Sequence, residues 1–283
     1  MREMNCTSKI SCVGLEKYYP ATVSLGSLFG PNRLRKSKKS VLDKVSFEVG
    51  AGEVFGIVGP NGAGKTTILK ILSHLTAPTA GTARVCGFDV ERQWEKAMQC
   101  IGYCISEERS FFWRLSGRQN LQFFADLLEV PAKAARARIR DLLEMLELKD
   151  VADDRFMNYS SGMKQKLAIA RSLLADPQVL LMDEPTRGLD PRAAFKLRAF
   201  LLAHVSRQNK AAVVTTNQVS DVENLCHRIA VLNRGRIIAL GTIAEIGSRL
   251  REKYNLAEGP SFEASFNLLL EQDDLAHEGA GGA

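Results

Sequence analysis

The stretch Gly59-Pro60-Asn61-Gly62-Ala63-Gly64-Lys65-Thr66-Thr67 constrains this chain more than any other. It matches the pattern G-x-x-x-x-G-K-S/T throughout. Its surroundings match as well. Val54 to Val58 reads as a short buried strand ahead of it, and Thr66 to Leu75 has helical spacing behind it, with Ile68, Leu69, Ile71 and Leu72 apolar. Strand, glycine-rich turn and helix in that order build a concave nest of backbone N–H groups that points at phosphate oxygens, and the helix adds its positive dipole end. Lys65 supplies a point charge for β- and γ-phosphates, and the Thr66 hydroxyl is placed to ligate Mg²⁺. The pattern predicts nucleotide binding without saying which nucleotide binds or what its hydrolysis drives.

The rest of the chain reads as an α/β fold around that loop. Ser11 to Tyr19 forms a strand ending at Pro20, and Val41 to Val49 alternates with Val45, Phe47 and Val49 on one face. From Ser160 the chain gives a helix over 162–175, a buried strand over Val179 to Met182, a helix over 192–207 and a strand over 211–215. Such alternation predicts a mostly parallel sheet covered on both faces. Residues from about 90 to 158 carry helical periodicity and read as an inserted helical subdomain. After about Ser248 come a turn at Gly259-Pro260, a short apolar helix near Phe262 to Leu270, and a frayed end from His277. The expected organisation is one domain over 1–248 and a C-terminal extension over 249–283.

Val179-Leu180-Leu181-Met182-Asp183-Glu184 is an apolar strand ending in two carboxylates. The C-terminal end of a parallel strand is where such sheets bind ligands. Asp183 suits the Mg²⁺ side of a nucleotide, and Glu184 suits polarisation of an attacking water.

Three segments in order resemble those of an ATP-binding cassette ATPase: Gly59 to Thr67, Tyr159-Ser160-Ser161-Gly162-Met163-Lys164-Gln165, and Asp183-Glu184-Pro185-Thr186-Arg187-Gly188-Leu189-Asp190. The resemblance spans about Val13 to Gly241. It implies a P-loop core, an antiparallel β subdomain at the N-terminus, ATP and Mg²⁺ as ligands, and a head-to-tail dimer. Each ATP would then lie between one subunit's phosphate loop and the other's Ser160, Ser161 and Gly162. Asp190 would couple the two sites, and Tyr19, or Tyr18, would stack on adenine; an ordinary packing role is the alternative for either tyrosine. Arg187 to Pro191, Arg109 to Leu115 and Pro260 to Glu263 resemble single-cassette subunits of drug, lipid or polysaccharide exporters. That subtype implies a separate integral membrane permease, a second ATPase subunit, and a place at the cytoplasmic face of the membrane. Phe111, Phe112 and Trp113 either anchor the permease or pack inside the helical subdomain.

The chain departs from the family pattern in places. Ser161 stands where the family prefers Gly, and Met163 where it prefers Gln. The glutamine that the resemblance expects after a strand near Ile101 to Cys104 is missing; Ser106, Glu107 or Glu108 occupies the region, with Glu107 a candidate metal-side carboxylate. The switch histidine expected after Val213 to Thr216 is Asn217, which can donate an amide hydrogen bond to a γ-phosphate but cannot carry a charge. Slow hydrolysis is the expectation, with Glu184, Lys65 and Asn217 as the catalytic set. His227, ten residues on, reads as an exposed helix position.

Composition narrows the remaining classes. No stretch reaches the roughly 20 apolar residues of a membrane helix, and the N-terminus has no apolar signal segment. Six cysteines at 6, 12, 86, 100, 104 and 226 include no CxxC pair and read as reduced structural residues. The net charge of +6 gathers partly at Arg33, Arg35, Lys36, Lys38 and Lys39 in an inserted loop over 21–40. Such a run meets anionic lipid or nucleic acid, or is merely solvated. A cassette acting on nucleic acid or ribosomes usually has two cassettes or a long coiled-coil insert, and neither is present, so no nucleic-acid partner is expected.

Overall fold

The computed structural model describes residues 8–20, 38–104, 111–254 and 261–280. The basic cluster up to Lys36, Glu107 with its neighbours, and the Gly259-Pro260 turn lie outside the described residues.

Two sheets carry the fold. The first is antiparallel, in the order β2-β1-β4-β5, from β1 (Ser8–Pro20), β2 (Lys38–Gly50), β4 (Ala80–Val85) and β5 (Phe88–Asp89). The alternation read in β2 holds: Val45, Phe47 and Val49 are all buried. The second sheet has the order β10-β9-β3-β8-β7-β6, with β3 (Glu53–Val58), β6 (Ile101–Cys104), β7 (Val179–Asp183), β8 (Ala211–Thr216), β9 (Arg228–Asn233) and β10 (Arg236–Gly241). It is parallel except where β10 runs against β9.

The central strands are apolar along most of their length because both faces are covered, with polar residues only at their ends. Successive side chains leave a strand on opposite faces, and the packing follows that rule. Leu180, Met182, Ala212 and Val214 join one core with the helices α3 (Gly117–Leu127), α4 (Ala132–Met145), α5 (Ser161–Ser172) and α6 (Pro191–Arg207). Val179, Leu181, Ala211 and Val213 join the other core, with α1 (Lys65–Leu72), α2 (Trp94–Gln99) and the antiparallel sheet. A third cluster sets Val58, Ile229 and Val231 against α7 (Val219–Leu225), α8 (Ile243–Tyr254) and α9 (Phe262–Ala280).

Some sequence boundaries move. Ile101–Cys104 is a strand of the core sheet, paired with β7, so the segment over 90–158 is not helical throughout. After α2 and that strand, helix resumes at Ser116, whose hydroxyl accepts from the Gln119 N–H in a reciprocal capping box. The C-terminal helix is longer than the apolar stretch near Phe262 to Leu270, and its backbone stays helical to Ala280. It packs on the core through Phe262 and is not a detached tail. His227 is exposed but lies past the end of α7, where its Nδ1 accepts from the Val54 N–H at 3.0 Å. Among the described residues, no helix is long and apolar enough to cross a membrane.

Candidate nucleotide site

The strand order brings the ends of β3, β8 and β7 side by side. In register, Val58 lies opposite Thr216 and Asp183 opposite Thr215. The phosphate loop leaves the end of β3, Glu184 follows β7, and Asn217 follows β8. Residues separated by more than a hundred positions therefore share one edge of the sheet, the edge at which open α/β sheets bind ligands.

Gly64 caps α1 with φ of 109°. A Cβ there would stand 2.7 Å from Leu42 Cδ2 and 2.8 Å from the Val41 carbonyl oxygen, so only glycine fits both the turn and its neighbours. Ile68 N–H donates to Gly64 O at 3.1 Å, which starts the helix directly behind the loop. Gly59 and Ala63 are buried, Pro60, Asn61 and Gly62 are exposed, and Thr67 is partly buried. The turn between β9 and β10 braces the loop from behind, where Gly235 N–H donates to Ala63 O at 3.0 Å.

Lys65 is buried, and its ammonium donates to the carbonyls of Gly59 at 2.6 Å and Pro60 at 3.1 Å. Burial lowers its pKa, while the nearby carboxylates of Glu184 and Asp183 act the other way. The Thr66 hydroxyl donates to Asp183 Oδ2 at 3.0 Å, and the Thr215 hydroxyl donates to the other oxygen of the same carboxylate. One hydroxyl and one carboxylate beside a phosphate cradle are hard oxygen donors. They suit Mg²⁺, which keeps waters and takes its other ligands from phosphates. Among the described residues no cluster of three or more His, Cys, Asp or Glu could hold a metal unaided, so phosphate oxygens would have to complete such a shell.

Glu184 has a backbone φ of 48°, uncommon outside glycine. Its N–H is held by the Thr215 carbonyl at 3.0 Å, and its Oε2 lies 3.2 Å from Arg187 Nη1. Asn217 is exposed at the rim, with an amide and no titratable group.

A second cluster forms around α5. The Ser160 hydroxyl accepts from Met163 N–H at 3.2 Å as the N-cap. Gln165 is buried and donates to Pro185 O at 3.1 Å, which fixes α5 to the segment after Glu184. Asp190 caps α6 through Ala193 N–H at 2.9 Å, and that bond holds its carboxyl below the usual range. Ser160, Ser161, Gly162 and Asp190 line one open cavity of about 290 Å³, to which no phosphate-loop residue contributes. Tyr19 is exposed at the end of β1 with the Lys17 ammonium 4.9 Å from its ring centre, whereas the Tyr18 hydroxyl donates to Glu16 at 3.2 Å.

The aromatic triplet divides. Phe111 is buried and stacks on Phe156 at 4.8 Å between ring centres, so it packs internally. Phe112 and Trp113 are 46% and 53% exposed and face outward with Phe123 and Met157.

Sequence reasoning missed Asp221. It is 1% exposed, and its carboxylate accepts from Thr216 Oγ1 at 3.0 Å, from Arg198 Nε at 2.8 Å and from Thr186 Oγ1. The one signal available was an acid four residues past Asn217 in a helix whose neighbours Val222 and Leu225 are apolar.

Fold and site together define a P-loop nucleotide-binding protein. The family profile described as ABC transporter matches residues 42–187. The chain is 41% identical over 212 residues to the Nod factor export ATP-binding protein I of Paraburkholderia xenovorans (strain LB400), covering 74% of this chain and 69% of that one. It is 39% identical over 212 residues to the daunorubicin resistance ATP-binding protein DrrA3 of Streptomyces coeruleorubidus, covering 75% and 66%. A solved structure described as the ATP binding subunit of an ABC transporter superposes with a TM-score of 0.76 at 24% identity, over 93% of this chain and 99% of that one, and supports the fold. The chain belongs to the ABC transporter family and is one of its ATPase cassettes.

Proposed function

We propose that this chain is the nucleotide-binding subunit of an exporter and couples ATP binding and hydrolysis to substrate movement through a separate membrane-spanning subunit. The export and drug-resistance roles in the names of its relatives support the direction of transport. The observation that carries the ATPase chemistry is the gathering of Thr66, Asp183 and Glu184 beside Lys65 on one sheet edge.

In this reading the loop from Gly59 to Thr67 grips the phosphates and Lys65 neutralises their charge. Thr66 and Asp183 would hold Mg²⁺, which would supply polarisation of the phosphoryl oxygens. Glu184 orients and polarises the attacking water. Asn217 donates its amide to the γ-phosphate. The cavity of Ser160, Ser161, Gly162 and Asp190 serves the opposite subunit's nucleotide, so the working unit is a head-to-tail pair of cassettes. Phe112 and Trp113 present an aromatic surface for the membrane subunit, and the chain works at the cytoplasmic face of the cell membrane.

Asn217 favours a second reading within the same class: a cassette that binds ATP and gates its partner with slow turnover. A neutral amide supports the γ-phosphate by one hydrogen bond and without charge. Turnover of wild type, Asn217→His and Glu184→Gln, each reconstituted with the membrane subunit that co-purifies with it, separates the readings. A wild type that gains rate from Asn217→His supports slow gating. A fast wild type indifferent to that change supports an ordinary export motor. Hydrolysis unaffected by Glu184→Gln sinks the assignment of Glu184.

A further inference from the structure

The C-terminal helix reaches the phosphate loop through a hairpin. Strands β9 and β10 pair Asn233 with Arg236 and are joined by Arg234 and Gly235 alone. Both tip residues have positive φ, 45° and 82°, which marks the primed two-residue turn that fits the twist of a hairpin. The tip meets the loop directly. Gly235 N–H donates to Ala63 O at 3.0 Å, and the Gly235 carbonyl accepts from Asp43 N–H at 2.9 Å. A Cβ at Gly59 would stand 2.1 Å from the Leu232 carbonyl oxygen, so the first residue of the loop lies against β9.

The same end of the hairpin also meets α9. The Asn233 amide nitrogen donates to Asp273 Oδ2 at 2.9 Å and to Asp274 Oδ1 at 3.4 Å. Arg234 Nη2 lies 2.9 Å from that same Asp274 oxygen. Arg234 and Asp274 are half-exposed, and a pair of that kind contributes little by itself. Asn233 is different: it is 5% exposed, and a buried amide left without its acceptors costs its full desolvation. The apolar side of α9 adds to the contact. Phe262, Phe266 and Leu269 pack in the cluster that holds Val58, the residue directly ahead of Gly59.

We propose that Asp273 and Asp274 are positioning residues for nucleotide binding: through Asn233 and Arg234 they hold the hairpin tip against Ala63, and with it the phosphate loop in its binding shape. This rests on the reading of Gly59 to Thr67 as the nucleotide site. The route is short, from the carboxylates to Asn233 and Arg234, along the chain to Gly235, and across one hydrogen bond to Ala63. A brace behind the loop supports the cradle equally before and during phosphoryl transfer, so its loss raises KM and spares kcat.

The test uses the full chain with the membrane subunit that co-purifies with it, titrated with a fluorescent ATP analogue and followed in steady-state ATP hydrolysis. The paired change Asp273→Asn and Asp274→Asn should weaken analogue binding and raise KM for ATP by about tenfold, with kcat within about twofold of wild type. Without nucleotide, amide exchange should quicken at Gly235, whose N–H makes the brace. Arg234→Gln should weaken binding in the same direction, and adding Asp274→Asn to it should cost less than the two separate losses together. Unchanged affinity, a fall in kcat at unchanged KM, or exchange quickened equally throughout the core would each overturn the proposal. Lys65→Ala separates it from the reading beneath it. If Lys65→Ala binds the analogue as the wild type does, both fall; if Lys65→Ala loses binding while the aspartate variant keeps it, only the brace falls. Should the aspartate variant fail to fold, Arg234→Gln at the half-exposed tip gives the same affinity and exchange readouts.

Discussion

Asp221 accepts a hydrogen bond from Thr216 at 3.0 Å, and Thr216 directly precedes Asn217. The same carboxylate accepts from Thr186, two residues past Glu184, and from Arg198 at 2.8 Å. One buried acid therefore joins the segment that follows Glu184 to the strand end that leads into Asn217, the two positions proposed to polarise water and to meet the γ-phosphate. Asp221→Asn keeps the shape but removes the charge that balances Arg198. It should lower kcat about tenfold, leave KM for ATP within about threefold, and cost roughly 2–3 kcal/mol of stability. Steady-state kinetics with urea unfolding checks both, and a rise in KM at unchanged kcat would contradict the positioning role.

Gly64 tests the cradle. Gly64→Ala forces a side chain into a φ of 109° and against the Val41 carbonyl oxygen. The expected cost is roughly 2–4 kcal/mol, with loss of nucleotide binding. Thermal unfolding and titration with a fluorescent ATP analogue measure the two effects separately.

The divided aromatic triplet gives opposite outcomes from adjacent positions. Phe111→Ala should destabilise the subunit by about 3–5 kcal/mol, because it empties a buried, stacked site. The double change Phe112→Ala and Trp113→Ala should shift stability by under about 1 kcal/mol, since both rings are exposed. It should nevertheless lower recovery of the membrane subunit in co-purification. Unchanged recovery would remove these rings from the contact.

His204 predicts a pH effect. Burial, reinforced by Lys210, holds its imidazole down at about 4, and its Nε2 has no hydrogen-bond partner. Folding keeps this group neutral while the unfolded chain protonates it near 6.5. Stability contributed by the neutral ring is therefore complete above about pH 6.5 and is lost as pH falls toward about 4, with a slope of at most about 1.4 kcal/mol per pH unit. Urea midpoints at pH 7 and pH 5 should differ less in His204→Gln than in the wild type.

Much of the site was legible because its groups carry local signatures. Gly59 to Thr67 identifies itself through a backbone conformation that only its glycines permit. Ser160 and Asp190 cap the helices that follow them, a local role that needs no distant partner, although the sequence pointed to them through the family resemblance. Asp221 has no such signature, since its role depends on three donors from three other elements. Ile101–Cys104 carries too little periodicity in four residues to mark a strand by itself; the family resemblance puts a strand there, and its pairing with β7 makes it part of the core sheet.

The sequence by itself determined the phosphate loop, the acidic strand end and the α/β alternation, since each follows from residue types within a few positions of one another. Only the tertiary structure decided the strand order that sets Thr216 opposite Val58 and Thr215 opposite Asp183, the split between Phe111 and Phe112, and the three donors that meet on Asp221. Those outcomes depend on long-range packing: which strand lies beside which, and which face of a residue the assembled core covers, are settled by the chain as a whole.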